Sequence, residues 1–166
     1  MYTAAIFLPL LGSIIAGLLG SRIGDRASML VTTGLLVVSA ILSFPILWFV
    51  AISGEGATVT VPVLTWIESG GVTANWQLHF DTLTAVMVFV VTVISALVHV
   101  YSIGYMRDDP HKPRFFAYLS LFTFSMLMLV TADNFVQMFF GWEGVGLCSY
   151  LLIGFWYDRP AANAAA

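Results

Sequence analysis

Charge punctuates this chain. Met1 to Ser21 and Ala27 to Gly54 carry no charged residue, and Phe115 to Ala132 carries none either. Thr82 to Met106 contains only His99, and Asn134 to Tyr157 contains only Glu143. About 20 apolar residues carry a helix across the hydrocarbon core of a bilayer. The five runs therefore predict five membrane-spanning helices, over about 2–20, 28–52, 81–104, 114–132 and 134–157. The expected fold class is an all-α integral membrane protein. Strands of a transmembrane barrel would alternate with period two over about 10 residues, and these runs do not.

Composition agrees. Hydrophobic residues make up 60% of the 166, charged residues 9%, and mean hydropathy is +0.95. A soluble domain of this size cannot hide so much apolar surface. The 13 Phe and 5 Trp argue against disorder. A net charge of −3 excludes a nucleic-acid binder. The lone Cys148 excludes a disulfide framework and cysteine-cluster metal sites.

Lys and Arg orient the spans. Arg22 and Arg26 follow the first run, Arg107, Lys112 and Arg114 the third, and Arg159 the fifth. These positions share one side, which is read as inside. The N-terminus, the 53–80 loop and the turn near Asp133 lie outside. No Lys or Arg precedes the first run, so it is not expected to be a cleaved signal peptide. Within 53–80, Thr58-Val59-Thr60-Val61 alternates, Pro62 breaks the pattern and Ser69-Gly70-Gly71 resembles a turn. Val72 to Phe80 can return as a second strand. The segment reads as a β-hairpin on the outer surface or as an irregular loop. Trp66 and Trp76 are expected at headgroup level. The tail, Asp158 to Ala166, resembles the start of another helix, which leads us to expect a longer natural chain.

Glu143 is the chemical outlier. It falls 10 residues after Asp133, about 15 Å along a helix and so near mid-membrane. A carboxylate there is costly unless it is paired, protonated or hydrated. No Lys or Arg lies within the five runs to pair with it. A carboxyl whose protonation a neighbour can change is what a proton relay needs. The alternative is a permanently protonated Glu that bonds another helix. Its surroundings, Gly141-Trp142-Glu143-Gly144-Val145-Gly146, allow close helix packing. His99 is a second relay candidate, because histidine exchanges protons near neutral pH, or else a hydrogen-bonded packing residue. Asp81 and Asp133 stand where helices begin and read as caps, with Asp133 also a candidate outer mouth of a proton path. Ser149 and Tyr150 carry no specific role, and Cys148 reads as a small buried hydrophobe. No phosphate-binding glycine loop, metal-ligand spacing or haem or iron–sulfur ligation is present.

Residues Asp133-Asn134-Phe135 and Gly141 through Tyr157 closely resemble the largest antiporter-like membrane subunit of respiratory complex I, subunit L of bacterial NADH–quinone oxidoreductase. Phe80-Asp81, His99-Val100-Tyr101-Ser102, Tyr105-Met106-Arg107 and Arg114-Phe115-Phe116-Ala117-Tyr118 resemble the same family. The large subunits of multisubunit Na⁺/H⁺ antiporters share much of this pattern. The resemblance implies a longer, proton-translocating subunit with inverted five-helix repeats, of which this sequence supplies the leading helices. It implies an outer hairpin between helices 2 and 3. It makes Glu143 the relay carboxylate, with a Lys partner on a later helix. It implies no redox cofactor on this chain, with NADH, flavin, iron–sulfur clusters and quinone handled by other subunits. Its partners would be neighbouring membrane subunits, lipid and protons. Its place would be a bacterial inner membrane rather than a mitochondrial one. Na⁺/H⁺ antiport and a purely structural membrane subunit are the competing readings.

Overall fold

The computed structural model describes residues 1–53 and 58–166. Residues 54–57 of the connecting loop lie outside the described residues. Helix α1 runs Tyr2–Ile23 and α2 runs Asp25–Leu47, joined through Gly24 alone. Trp48–Ile52 prolong α2 as a π-helical turn just after Pro45. Strands β1 (Val59–Ser69) and β2 (Val72–Phe80) follow, then α3 (Thr82–Tyr105), α4 (Lys112–Val130), α5 (Phe135–Ile153) and a short α6 (Pro160–Ala165). Helices α1 to α5 are each long and apolar enough to cross a membrane.

The first and second apolar runs extend into the charges that bounded them in sequence. Arg22 and Asp25 are both helical, because a charged side chain at a helix end reaches water without breaking the backbone ladder. The fifth helix ends at Ile153, before the expected 157. Gly154 closes it, and residues 154–159 turn to lead into α6.

The loop between α2 and α3 is an antiparallel hairpin. Gly70 and Gly71 turn it with φ of 56° and 87°, a region that favours glycine. Pro62 does not end β1. It pairs with Gln77, and the register shifts between Pro62 and Leu64 and again between Thr65 and Ile67. Bulges absorb a residue that cannot donate to the ladder.

Helices α1 to α4 form the central bundle. The hairpin plugs one end of it: Leu78 and Phe80 are fully buried and pack with Ala5, Ile6, Ile46, Val50, Leu127 and Met128. The Tyr2 and Phe80 rings lie 4.8 Å apart. Several buried hydroxyls find carbonyl acceptors, as a membrane interior favours, while Thr33 Oγ1 is buried without a partner among the described residues. Thr32, Thr92, Thr123 and Thr131 bond back to their own helices. Ser13 Oγ donates to Ala117 O at 2.9 Å, and Ser39 Oγ donates to Ala5 O, which tie α1 to α4 and α2. Lys112 Nζ meets Asp25 Oδ2 at 3.2 Å at the end opposite the hairpin.

Helix α5 stands apart. It packs chiefly on α4 and is the least buried of the five spans. Its buried residues are Gln137, Gly141 and Cys148, one stripe at helical spacing facing α4. The rest of its surface is open: Phe135 is 86% exposed, Trp142 66% and Phe139 63%.

Candidate functional site: a carboxylate on the open face of α5

Glu143 is the ninth residue of the 19-residue α5, about 12 Å along the axis from Phe135. It lies six residues after Gln137, so its side chain leaves the helix well away from the α4-facing stripe. It is exposed in this chain and pairs with no Lys, Arg or His among the described residues. A groove of about 620 Å³ runs beside it between α4 and α5. The walls are apolar, with Leu121, Phe124, Phe139, Phe140 and Leu147. Ser125, Cys148 and Glu143 supply its polar atoms, and Trp66 of the hairpin closes the end nearest β1.

Beside the groove α4 and α5 nearly touch at two glycines. A Cβ on Gly141 would lie 2.5 Å from Leu129 N, and one on Gly144 would lie 2.7 Å from Ser125 Oγ. The third glycine of the run, Gly146, has nothing within 4 Å and takes no part in the seam. Two of the three glycines therefore act as the sequence suggested.

His99 sits elsewhere. It is fully buried on α3 against α4. Its Nδ1 is 2.9 Å from Ser95 O, a carbonyl that can only accept, so Nδ1 carries the proton. Nε2 accepts from Ser120 Oγ at 3.0 Å. Phe116 meets the imidazole edge-on at 5.9 Å. The groove beside Glu143 does not include His99. Ser120 and Ser125 are separated by about 7.5 Å along α4.

The two aspartates behave differently from one another. Asp81 caps α3: Oδ1 accepts from Thr84 N at 2.7 Å. That backbone hydrogen bond holds its carboxyl below the usual range, against a smaller opposing effect of burial. Asp133 is not the cap of α5. Asn134 takes that position, in extended conformation, and accepts from Gln137 N at 2.9 Å. Asp133 instead faces His79 Nδ1 at 3.2 Å and accepts from Gln77 Nε2. An amide caps as well as a carboxylate, so the sequence did not separate the two neighbours.

The far end of α5 is pinned by Arg114 and Asp109, to which the sequence assigned no such role. Arg114 donates to Phe155 O at 3.0 Å, and its guanidinium lies 4.5 Å from the Phe155 ring centre and 5.3 Å from that of Tyr157. Asp109 Oδ2 accepts from Trp156 Nε1 at 2.9 Å. Burial raises the Asp109 carboxyl's pKa, but that bond and one from the His111 backbone outweigh it and leave the pKa lowered.

Comparison with known proteins now bears on this geometry. Residues 66–116 match the family described as NADH-ubiquinone oxidoreductase (complex I), chain 5 N-terminus. Residues 132–166, which include Glu143, match the family described as NADH:quinone oxidoreductase/Mrp antiporter, TM. The chain resembles the antiporter-like family of complex I membrane subunits. It is 52% identical over its whole length to NADH-ubiquinone oxidoreductase chain 5 of Chondrus crispus, covering 25% of that protein. It is 53% identical to NADH-quinone oxidoreductase subunit L of Rhodobacter capsulatus, covering 24% of it, and 49% identical to chain 5 of Dictyostelium discoideum, again covering 24%. The chain thus spans about a quarter of the length of these antiporter-like relatives.

Proposed function

We propose that this chain is part of a proton-translocating membrane subunit of NADH–quinone oxidoreductase, and that Glu143 is the carboxyl through which the proton passes. The observation that carries the reading is the carboxylate at the middle of a membrane-length helix, beside an apolar groove and unpaired with any cation among the described residues. Such a group is expensive to keep in a membrane without a use. Its charge responds to whatever covers the groove, so a neighbouring charge that moves would load or unload it. Electron transfer from NADH to quinone, with its flavin and iron–sulfur clusters, belongs to other subunits. The hairpin end faces the outside and the Lys- and Arg-bearing end the inside of a bacterial inner membrane. Neighbouring membrane subunits of the complex are its partners. His99 enters as a subordinate relay through Ser120, whose hydroxyl already donates to Nε2 and would take up a proton on its oxygen as it passes its own on.

Na⁺/H⁺ antiport is the second reading, since the family matched at 132–166 names both kinds of protein. The Chondrus, Dictyostelium and Rhodobacter relatives at about half identity are complex I subunits, which favours the first. The test is Glu143→Gln in the full-length subunit within its complex. NADH-driven proton pumping should fall sharply while assembly is unchanged. Pumping at the parent level would remove Glu143 from the path.

A further inference from the structure

The link between α4 and α5 lies against β2 through a single antiparallel β-bridge. Leu78 bridges Ala132, and His79 N donates to Thr131 O at 2.9 Å. Gln77 Nε2 and His79 Nδ1 both engage the Asp133 carboxylate. Asn134 caps α5 through Oδ1 and also donates from Nδ2 to Asn75 O at 2.8 Å. Gln137 is fully buried, and its Oε1 accepts from Gln77 N at 3.2 Å. Both glutamines of the chain and two of its three asparagines meet at this junction. The Trp76 ring adds a contact on Phe140 at 4.7 Å.

The glycine seam between α4 and α5 brings two backbones together but is smooth. Small residues give proximity and few knobs to stop one helix sliding along the other. Hydrogen bonds are directional, and in a low-dielectric setting a buried one is costly to lose. Gln137 precedes Glu143 by about 9 Å on one rigid helix, so what fixes Gln137 fixes Glu143. We propose that the β-hairpin is a clamp that sets the axial position of α5 on α4, with Gln77, Asn134 and Gln137 acting as positioning residues for Glu143. The functional part rests on the relay reading of Glu143; the clamp itself does not.

The test uses the full-length subunit in its complex, with Cys148→Ser as the parent. Gln137→Met keeps the volume and removes the acceptor of Gln77 N–H. Leaving the Gln77 N–H without its acceptor costs about 1–3 kcal/mol, so NADH-driven pumping should drop by about fivefold or more at unchanged assembly. Gln77→Cys with Asp133→Cys places two thiols at positions that the antiparallel bridge sets side by side. Closing that disulfide in the Gln137→Met background should restore pumping, and a reductant should remove it again. Asn134→Ser, which keeps the cap but loses the bond to Asn75, should give a smaller drop with the same rescue, and it serves if Gln137→Met does not assemble. Parent-level pumping in these variants, or no rescue on cross-linking, overturns the positioning role. Disulfide yield reads the clamp without reference to pumping: it should fall with Gln137→Met or Asn134→Ser, and an unchanged yield overturns the clamp. Parent-level pumping by Glu143→Gln, with that yield still lowered, removes the relay and leaves the clamp standing.

Discussion

Gly141→Ala is the sharpest test of how α5 is seated. The new methyl carbon would lie 2.5 Å from Leu129 N, 2.7 Å from Leu129 Cα and 2.9 Å from Leu129 Cβ. Ordinary carbon contacts are about 3.5–4.0 Å, so the helices must part by about 1 Å at this level. The atoms met are Leu129 backbone in the last turn of α4 and the Cβ fixed to it, which cannot rotate away as the end of a side chain can. Overpacking of this kind costs about 1–3 kcal/mol. Gly144→Ala supplies the contrast. Its methyl would meet Ser125 Oγ at 2.7 Å and Ser125 Cβ at 3.0 Å, and a serine hydroxyl can change rotamer. The milder variant should cost no more than about 1 kcal/mol, the scale of one off-rotamer side chain or lost hydrogen bond. The assay is subunit abundance in assembled complexes, with the thermal midpoint of the solubilised complex as a second reading. Gly141→Ala should lower both, and Gly144→Ala should lower them less. Equal behaviour of the two would refute the close approach of Leu129 to Gly141.

Two further expectations come from the ends of helices. Asp81→Ala should destabilise α3 by about 1 kcal/mol, with Asp81→Asn nearly neutral because the amide still accepts from Thr84 N. The Asp81 carboxyl is held below its usual range, so its stabilisation is present above the ordinary carboxylate pKa. It is lost as pH falls through the lowered value, and the gap between the parent and the Asp81→Ala variant in a thermal melt should close on acidification through that range. Arg114→Lys should loosen the turn after α5 despite the kept charge, because a lysine cannot both reach Phe155 O and stack on Phe155 and Tyr157. A loss of about 1–2 kcal/mol in that turn, read as faster hydrogen exchange over 154–159, is the expected result.

The span count was legible because hydrocarbon tolerates few charges, and five runs of helical length interrupted only by His99 and Glu143 leave little choice. The hairpin was half legible. Gly70-Gly71 announced the turn, but Pro62 read as a break, since strand pattern does not foresee a bulge placed to absorb it. Glu143 stood out as the one acid within a span. Its setting was legible only in part: the glycine run announced close packing, but Gln137 on the same packed face did not stand out among large apolar residues. On an apolar helix the usual contrast is inverted: lipid accepts the bulky side chains, and small or polar ones turn inward. Asp133 misled for a related reason. Two adjacent side chains could cap α5, and the choice of Asn134 is made by β2, far earlier in sequence, which claims the carboxylate for His79 and Gln77.

That choice separates two duties on one helix. Gln137, Gly141, Gly144 and Cys148 follow one another at helical spacing and hold α5 to α4, while Glu143 departs from a different side into the groove. Asn134 and Gln137 fasten the helix at one end to the hairpin, and Arg114 fastens the turn beyond the other end. A helix restrained along one stripe and at both ends can carry a carboxyl whose charge changes without itself shifting. Under the relay reading, the energy of a neighbouring charge then goes into the protonation of Glu143 rather than into bending its support. A helix held only by the glycine seam would yield to the same force by sliding.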